Sequence, residues 1–142
     1  MVVVGNGEDV NDVISICNKS MGRVFYLGEV PNLVDTGFFK SIDYLVRGDI
    51  TFRTGRTVFE ALYAGKVVIM PGVQSDLDND KNLAEFRERV FFYDPFSADG
   101  LFESFKHIAN CNFSGNDTVY FRAGNNFIVY RNAILAAYGI NN

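Results

Sequence analysis

The stretch TGRTVFEALYAGKVVIMPG, residues 54–72, runs through a loop, a short helix and a buried strand in quick succession. Residues 57–65 have apolar side chains at helical spacing and end on a glycine, which is typical of a helix and its C-terminal turn. KVVIM, residues 66–70, is an apolar β-branched run without alternation, which predicts a strand covered on both faces. The chain around this unit decides the fold class.

The same order of strand and helix recurs on both sides of residues 54–72. Apolar runs that alternate with helical segments predict an α/β fold: a Rossmann-like parallel sheet with helices on both faces. The predicted strands are residues 2–5, 24–28, 48–52, 66–70 and 90–94. The predicted helices are residues 8–21, 34–46, 57–65, 81–89 and 97–111, followed by a turn at 112–117 and a closing helix at 117–138.

Length and composition fit one globular domain, residues 1–142, because 48% of the residues are hydrophobic and 15% are aromatic. The formal net charge is -4 and the arginines are scattered, so we expect no nucleic-acid partner. Two distant cysteines favour a reducing compartment over a disulfide framework. No apolar run approaches the roughly 20 residues of a spanning helix. We therefore expect a cytoplasmic protein.

Glu60 is the candidate binding residue of the 54–72 stretch. In open parallel sheets, ligands bind beyond the carboxyl ends of strands, where helix N-termini attract phosphate. Arg53 or Arg56 would pair with phosphate oxygens, and Glu60 would accept hydrogen bonds from two sugar hydroxyls. The alternative is structural, because Thr57-Val58-Phe59-Glu60 fits a capping box, in which both side chains satisfy amides at the helix start. Spacing alone leaves both explanations open.

A resemblance bears on this choice. GRTVFEALYAGKVVIMPG resembles the motif E-G-F-G-x-x-x-x-E-A-M-A-x-G-x-P-V-I of the retaining, family-4-type glycosyltransferases of the GT-B fold, in their C-terminal, donor-binding half. VVVGNGED, VFYLGEV and FFYDPFSADGLFESFKHI are similar to other segments of that half, in order, so that the likeness covers most of residues 2–109. The residues in register with the motif are Gly55, Glu60, Ala61, Gly65, Val68 and Ile69.

The resemblance implies a nucleotide-sugar donor as substrate, with no further cofactor and no metal. Glu60 would hold the ribose hydroxyls, and the amides near Gly55, Arg56 and Thr57 would face the diphosphate. The turn formed by Gly5, Asn6 and Gly7 would lie against the donor. The full-length enzyme would transfer a sugar to a polysaccharide, glycolipid or related acceptor, with peripheral association at the inner membrane face.

The departures from the motif limit what this chain does alone. The family's first glutamate corresponds to Phe52, and the usual proline corresponds to Val67. The family's basic pair and its acceptor domain precede the first strand and are not in this sequence, so we expect no catalytic residue here and no turnover by this chain. The alternatives are a degenerate, non-catalytic GT-B-like domain or part of a nucleotide-sugar epimerase.

The segment SDLDNDKN carries three alternating aspartates, Asp76, Asp78 and Asp80, as a calcium loop does. A calcium loop needs glycine at its sixth position and glutamate at its twelfth, whereas this segment has Lys81 and Arg87. The sequence therefore favours a solvated acidic loop over a metal site.

Overall fold

The computed structural model describes residues 1–97 and 99–111. Met1–Gly37 form one compact unit, and the described residues from Phe38 to Cys111 belong to a second. The predicted turn and closing helix of residues 112–138 lie outside the described residues. The expectation that residues 1–142 make one domain stays a prediction.

The first unit contains two short parallel strands and one helix. Strand β1 (Val2–Val3) pairs with β2 (Phe25–Tyr26), with Val2 opposite Phe25. Helix α1 (Val10–Lys19) connects the strands and packs against β2. Its first turn carries Asp12 and its last turn Lys19, which is the charge order that complements a helix dipole.

The second unit is built on a three-stranded parallel sheet with β4 in the centre. The strands are β3 (Tyr44–Val46), β4 (Val67–Pro71) and β5 (Val90–Tyr93), in the order β3-β4-β5. The helices are α2 (Arg56–Tyr63), α3 (Gln74–Asn79), α4 (Lys81–Ala84) and α5 (Gly100–Ala109), with 3-10 turns at Phe38–Ser41 and Arg87–Arg89. The α/β class with parallel strands is confirmed.

Strand β4 forms the centre of the core, because all five of its residues are buried. Successive side chains of a strand point to opposite faces, so a fully buried strand must be covered on both. Val67 and Ile69 pack with Ile108 of α5 on one face. Helix α2 also contacts β4, and its Val58, Ala61 and Leu62 are completely buried.

The link from α2 to β4 is a glycine-dependent turn. Gly65 has a φ of 76°, a left-handed conformation that side chains disfavour. The amide of Gly65 donates to the carbonyl of Leu62, and the amide of Lys66 donates to that of Ala61. This pair of bonds is a Schellman motif, which ends the helix and directs the chain into the strand.

Two sequence predictions in the second unit are wrong. Residues 34–46 do not form a helix, because Gly37 has a φ of 69° and the apolar run Tyr44–Val46 forms β3 instead. Residues 48–52, predicted as a strand, form the loop after β3. Glycine and aspartate at the start of that segment are poor strand residues, and the preceding apolar run pairs better with β4.

The acidic segment is also not a loop throughout. Asp76 and Asp78 lie in α3, and Asp80 lies at the N-terminal cap of α4. Sequence spacing missed α3 because the segment has a single buried apolar residue, Leu77.

Candidate functional site

The carboxyl ends of the three parallel strands of the second unit lie at one edge of the sheet. The loop of residues 47–55 leaves β3 there and leads into α2, while Gly72 and Val73 leave β4 and lead into α3. Ligands of open parallel sheets bind at this edge. Four of the predicted site residues, Gly55, Arg56, Thr57 and Glu60, lie in or directly after the first of these loops.

The N-terminus of α2 is uncapped among the described residues. Gly55 is the N-cap, in an extended conformation with φ of -102° and ψ of 170°, and no side chain accepts a hydrogen bond from the first turn. The amide of Val58 donates to the Gly55 carbonyl at 3.0 Å. The first amides of a helix have no partner within the helix, so those of Arg56 and Thr57 are donors for an anion.

This geometry excludes the capping box at Thr57 and Glu60. A capping box requires threonine at the N-cap, whereas the helix begins at Arg56 and Thr57 is its second residue. Glu60 therefore lies too far along the helix to return to the N-cap amide. The capping-box explanation for Glu60 is thereby excluded.

Glu60 instead forms an ion pair with Arg56. The Nε of Arg56 lies 3.0 Å from Oε1 of Glu60, and the two residues are one helical turn apart. The Glu60 side chain is only 9% exposed, whereas that of Arg56 is 79% exposed. The Glu60 carboxylate is therefore mostly buried, and the arginine side chain that pairs with it is exposed to solvent.

Arg47 is a second cation at the start of α2, and sequence reasoning missed it. Its Nε donates to Oδ2 of Asp49 at 2.7 Å, and its Nη2 pairs with the same oxygen. Its Nη1 lies near Gly55, since a Cβ atom added to that glycine would lie 3.4 Å from it. Arg47 directly follows β3. Because residues 34–46 were predicted as a helix, the sequence did not place Arg47 at the carboxyl end of a strand.

Tyr93, the last residue of β5, fixes the backbone at Arg47. Its hydroxyl donates a hydrogen bond of 2.7 Å to the Arg47 carbonyl. The pKa of Tyr93 is raised above 10.0, first by burial and second by the negative charge of Asp49. The phenol therefore keeps its proton and its role as donor beyond the ordinary range of a tyrosine.

Thr54 joins the loop before α2 to the helices that follow β4. Its hydroxyl donates to Oδ2 of Asp80 at 3.0 Å. The other oxygen of Asp80 accepts from the amides of Asn82 and Leu83, at 3.1 and 3.0 Å, and so caps α4. Both oxygens of this carboxylate are occupied, so Asp80 holds the loop in place.

Phe52, which stands where the motif has a glutamate, is partly buried in the second unit. Its ring makes an edge-to-face contact with Phe92, with centroids 6.2 Å apart. Gly72 lies against both rings, because a Cβ atom there would approach each to 3.0 Å. With a φ of 149°, Gly72 also has a backbone conformation that suits glycine.

An open cleft of about 400 Å³ begins beside Phe52. It is lined by Phe52, Asp76, Asn79, Asp80, Lys81 and Asn82. Asp76 accepts a hydrogen bond of 2.8 Å from the amide of Val73. The cleft's polar groups are the side-chain amides of Asn79 and Asn82, the amine of Lys81 and the carboxylates of Asp76 and Asp80, beside one aromatic ring.

The acidic segment offers no metal centre among residues 1–97 and 99–111. No group of three or more histidine, cysteine, aspartate or glutamate side chains is arranged there to hold a metal ion. Asp78 pairs with Arg87 at 2.7 Å. The carboxylates of this segment bind backbone amides, a hydroxyl and an arginine.

The remaining predicted site residues, Gly5, Asn6 and Gly7, belong to the first unit. They follow β1 at its carboxyl end. Gly5 has a φ of 136°, and its amide donates to the Gly28 carbonyl at 2.9 Å. The Tyr26 hydroxyl donates to the Gly5 carbonyl at 2.8 Å, while Asn6 and Gly7 are exposed.

No protein-family model matches this sequence, and no curated protein shows significant similarity to it. Within the described part of the chain, no helix has the length and apolar character needed to cross a membrane.

Proposed function

We propose that this chain is the donor-binding domain of a retaining GT-B glycosyltransferase and that it binds a nucleoside diphosphate sugar. The observation that carries the proposal is the start of α2. Uncapped amides, the Nη1 of Arg47 and the Arg56–Glu60 pair occur there within about one helical turn. The resemblance of residues 54–72 to the family's motif supports the same ligand.

Each group has a role in this proposal. The first amides of α2 and the guanidinium of Arg47 bind the diphosphate, because amides and arginine both suit phosphate oxygens. Glu60 accepts hydrogen bonds from the ribose hydroxyls. The role of Gly5, Asn6 and Gly7 in donor binding stays a prediction of the resemblance.

We assign the cleft beside Phe52 to the transferred sugar. The Thr54–Asp80 hydrogen bond links it to the loop that enters α2. Its free amides and its amine suit a ligand rich in hydroxyl groups. We propose that transfer itself, to a polysaccharide or glycolipid acceptor, takes place in a longer, cytoplasmic enzyme with an acceptor domain, at the inner membrane face.

Calorimetric titration with UDP, GDP and ADP tests the proposal. We expect saturable binding of one diphosphate and much weaker binding of its nucleoside, because most contacts at the start of α2 are to phosphate. Inorganic pyrophosphate should compete with the diphosphate. Absence of binding for all three nucleotides would contradict the proposal.

Phe52 favours one second candidate, a degenerate domain that no longer binds a donor. The ring stacks on Phe92 at the position where the family's motif has a carboxylate. A phenyl ring cannot accept a hydrogen bond from a sugar hydroxyl as a carboxylate does. This candidate predicts a stable fold that binds none of the three nucleotides.

A further inference from the structure

The ion pair between Arg56 and Glu60 occupies the carboxylate that the proposed function assigns to ribose. Glu60 is 9% exposed and its Oε1 is 3.0 Å from the Arg56 guanidinium. A ligand hydroxyl that approaches this carboxylate therefore competes with Arg56. The Arg56 side chain is mostly exposed to solvent, so it can change rotamer.

The charge order of this pair is the unfavourable one for a helix. Cations are destabilising near a helix N-terminus, and an acidic residue four positions before a basic one is the better arrangement. Here the arginine is the first helical residue, the glutamate follows it, and the first turn contains no acidic residue. A bound anion would offset the repulsion between the Arg56 charge and the positive end of the helix dipole.

We propose that Arg56 is a latch on Glu60 that a diphosphate opens. In the ligand-free chain, the guanidinium pairs with Glu60 and covers it. When a nucleoside diphosphate binds, the guanidinium moves to the phosphate oxygens beside the first amides of α2, and Glu60 accepts the ribose hydroxyls. The latch rests on the proposed function, and it makes ribose recognition depend on the phosphates.

The latch predicts opposite effects of one substitution on two ligands. R56Q removes the competitor for Glu60, so the nucleoside alone should bind about two- to fivefold more tightly, as expected for loss of one exposed ion pair. The same variant lacks the charged phosphate contact, so the diphosphate should bind about tenfold more weakly. A static arginine that never leaves Glu60 predicts no such reversal.

The experiment measures the wild-type chain and R56Q by NMR titration with UDP, GDP and ADP and with the corresponding nucleosides. R87Q is the matched control, since it removes an ion-paired arginine, the partner of Asp78, that has no role in the proposed site. Its nucleoside affinity should equal that of wild type. The Arg56 Nε–H signal is a second readout: diphosphate should shift it toward the position of a phosphate-bound guanidinium, whereas nucleoside should shift it toward that of an unpaired, solvent-exposed one.

The outcomes separate the latch from the proposed function. Tighter nucleoside and weaker diphosphate binding in R56Q is the result that the latch predicts. If wild type binds a diphosphate but R56Q weakens both ligands or changes neither, the latch is wrong and the donor site remains. If wild type binds no nucleotide, the proposed function fails, and the latch fails with it.

Discussion

The hydroxyl of Thr54 donates a hydrogen bond of 3.0 Å to the carboxylate of Asp80, 26 residues further along the chain. This contact joins two segments that leave neighbouring strands at the same edge of the sheet. Because Asp80 also caps α4, its position is fixed by the helix, and Thr54 is fixed in turn. Gly55 and the first turn of α2 directly follow Thr54.

Replacement of Thr54 by valine should lower the free energy of unfolding by about 1 kcal/mol, because a partly buried hydrogen bond is lost. D80A should cost about 2 kcal/mol, since it removes the cap of α4 as well. Urea denaturation measures both. T51V is the matched control, because Thr51 is exposed, and it should unfold like wild type. Equal midpoints for T54V and T51V would refute the role of this contact.

Gly72→Ala should destabilise the fold by about 2 kcal/mol or more, because it combines a strained backbone with overpacking. The new methyl group would lie 3.0 Å from the rings of Phe52 and Phe92, at a φ of 149°. Gly48→Ala is the control, since a Cβ atom there meets no atom within 4 Å. If both variants unfold at the same urea concentration, Phe52 does not pack as described.

Stability should fall at high pH partly through Tyr93. Its folded pKa is raised above 10.0, by burial and then by Asp49, so the folded state holds the proton more tightly than the unfolded state does. The resulting stabilisation is complete below pH 10.0 and is lost as the pH rises through the folded pKa.

Two variants isolate this contribution of Tyr93. Above pH 10.0, the stability of Y93F should decline less steeply than that of wild type. Denaturation at a series of pH values measures this difference. D49N should lower the pKa of Tyr93 toward its ordinary value, which tyrosinate absorbance reports. An unchanged titration in D49N would show that Asp49 does not act on Tyr93.

R47Q should weaken binding of the nucleoside diphosphate about tenfold and leave the nucleoside unaffected, because a charged contact to phosphate is lost. R87Q provides the control, since it also removes an ion-paired arginine, the partner of Asp78 after β4. Calorimetry with both ligands separates the effects. If R47Q and R87Q lose the same affinity for the diphosphate, R47Q acts only through net charge.

Much of the fold could be predicted from periodicity. The helix at α2 and the buried strand β4 were clear in the sequence, because apolar spacing and Gly65 mark both elements. The segment before β3 was misread, because Phe38 and Phe39 extend an apparently helical pattern across Gly37. Only pairing with β4 makes Tyr44–Val46 a strand, and such a pairing is not visible in local sequence.

The candidate site was predictable in part. Glu60 and Gly55 follow from the motif, and the capping box was a reasonable alternative from spacing alone. The position of the helix start, one residue before Thr57, decided against that alternative. Arg47 required the correct end of β3, and the Thr54–Asp80 contact joins residues too far apart in sequence for any local pattern to connect.

The most direct test of the central claim, donor binding at the start of α2, is an amide NMR titration of this chain and of E60A with UDP, GDP and ADP. The account predicts saturable shifts for one nucleotide, centred on residues 55–60, and their loss in E60A while the remaining spectrum stays that of the folded chain. An equal affinity of wild type and E60A for that nucleotide, or no shifts with any of the three, would contradict it.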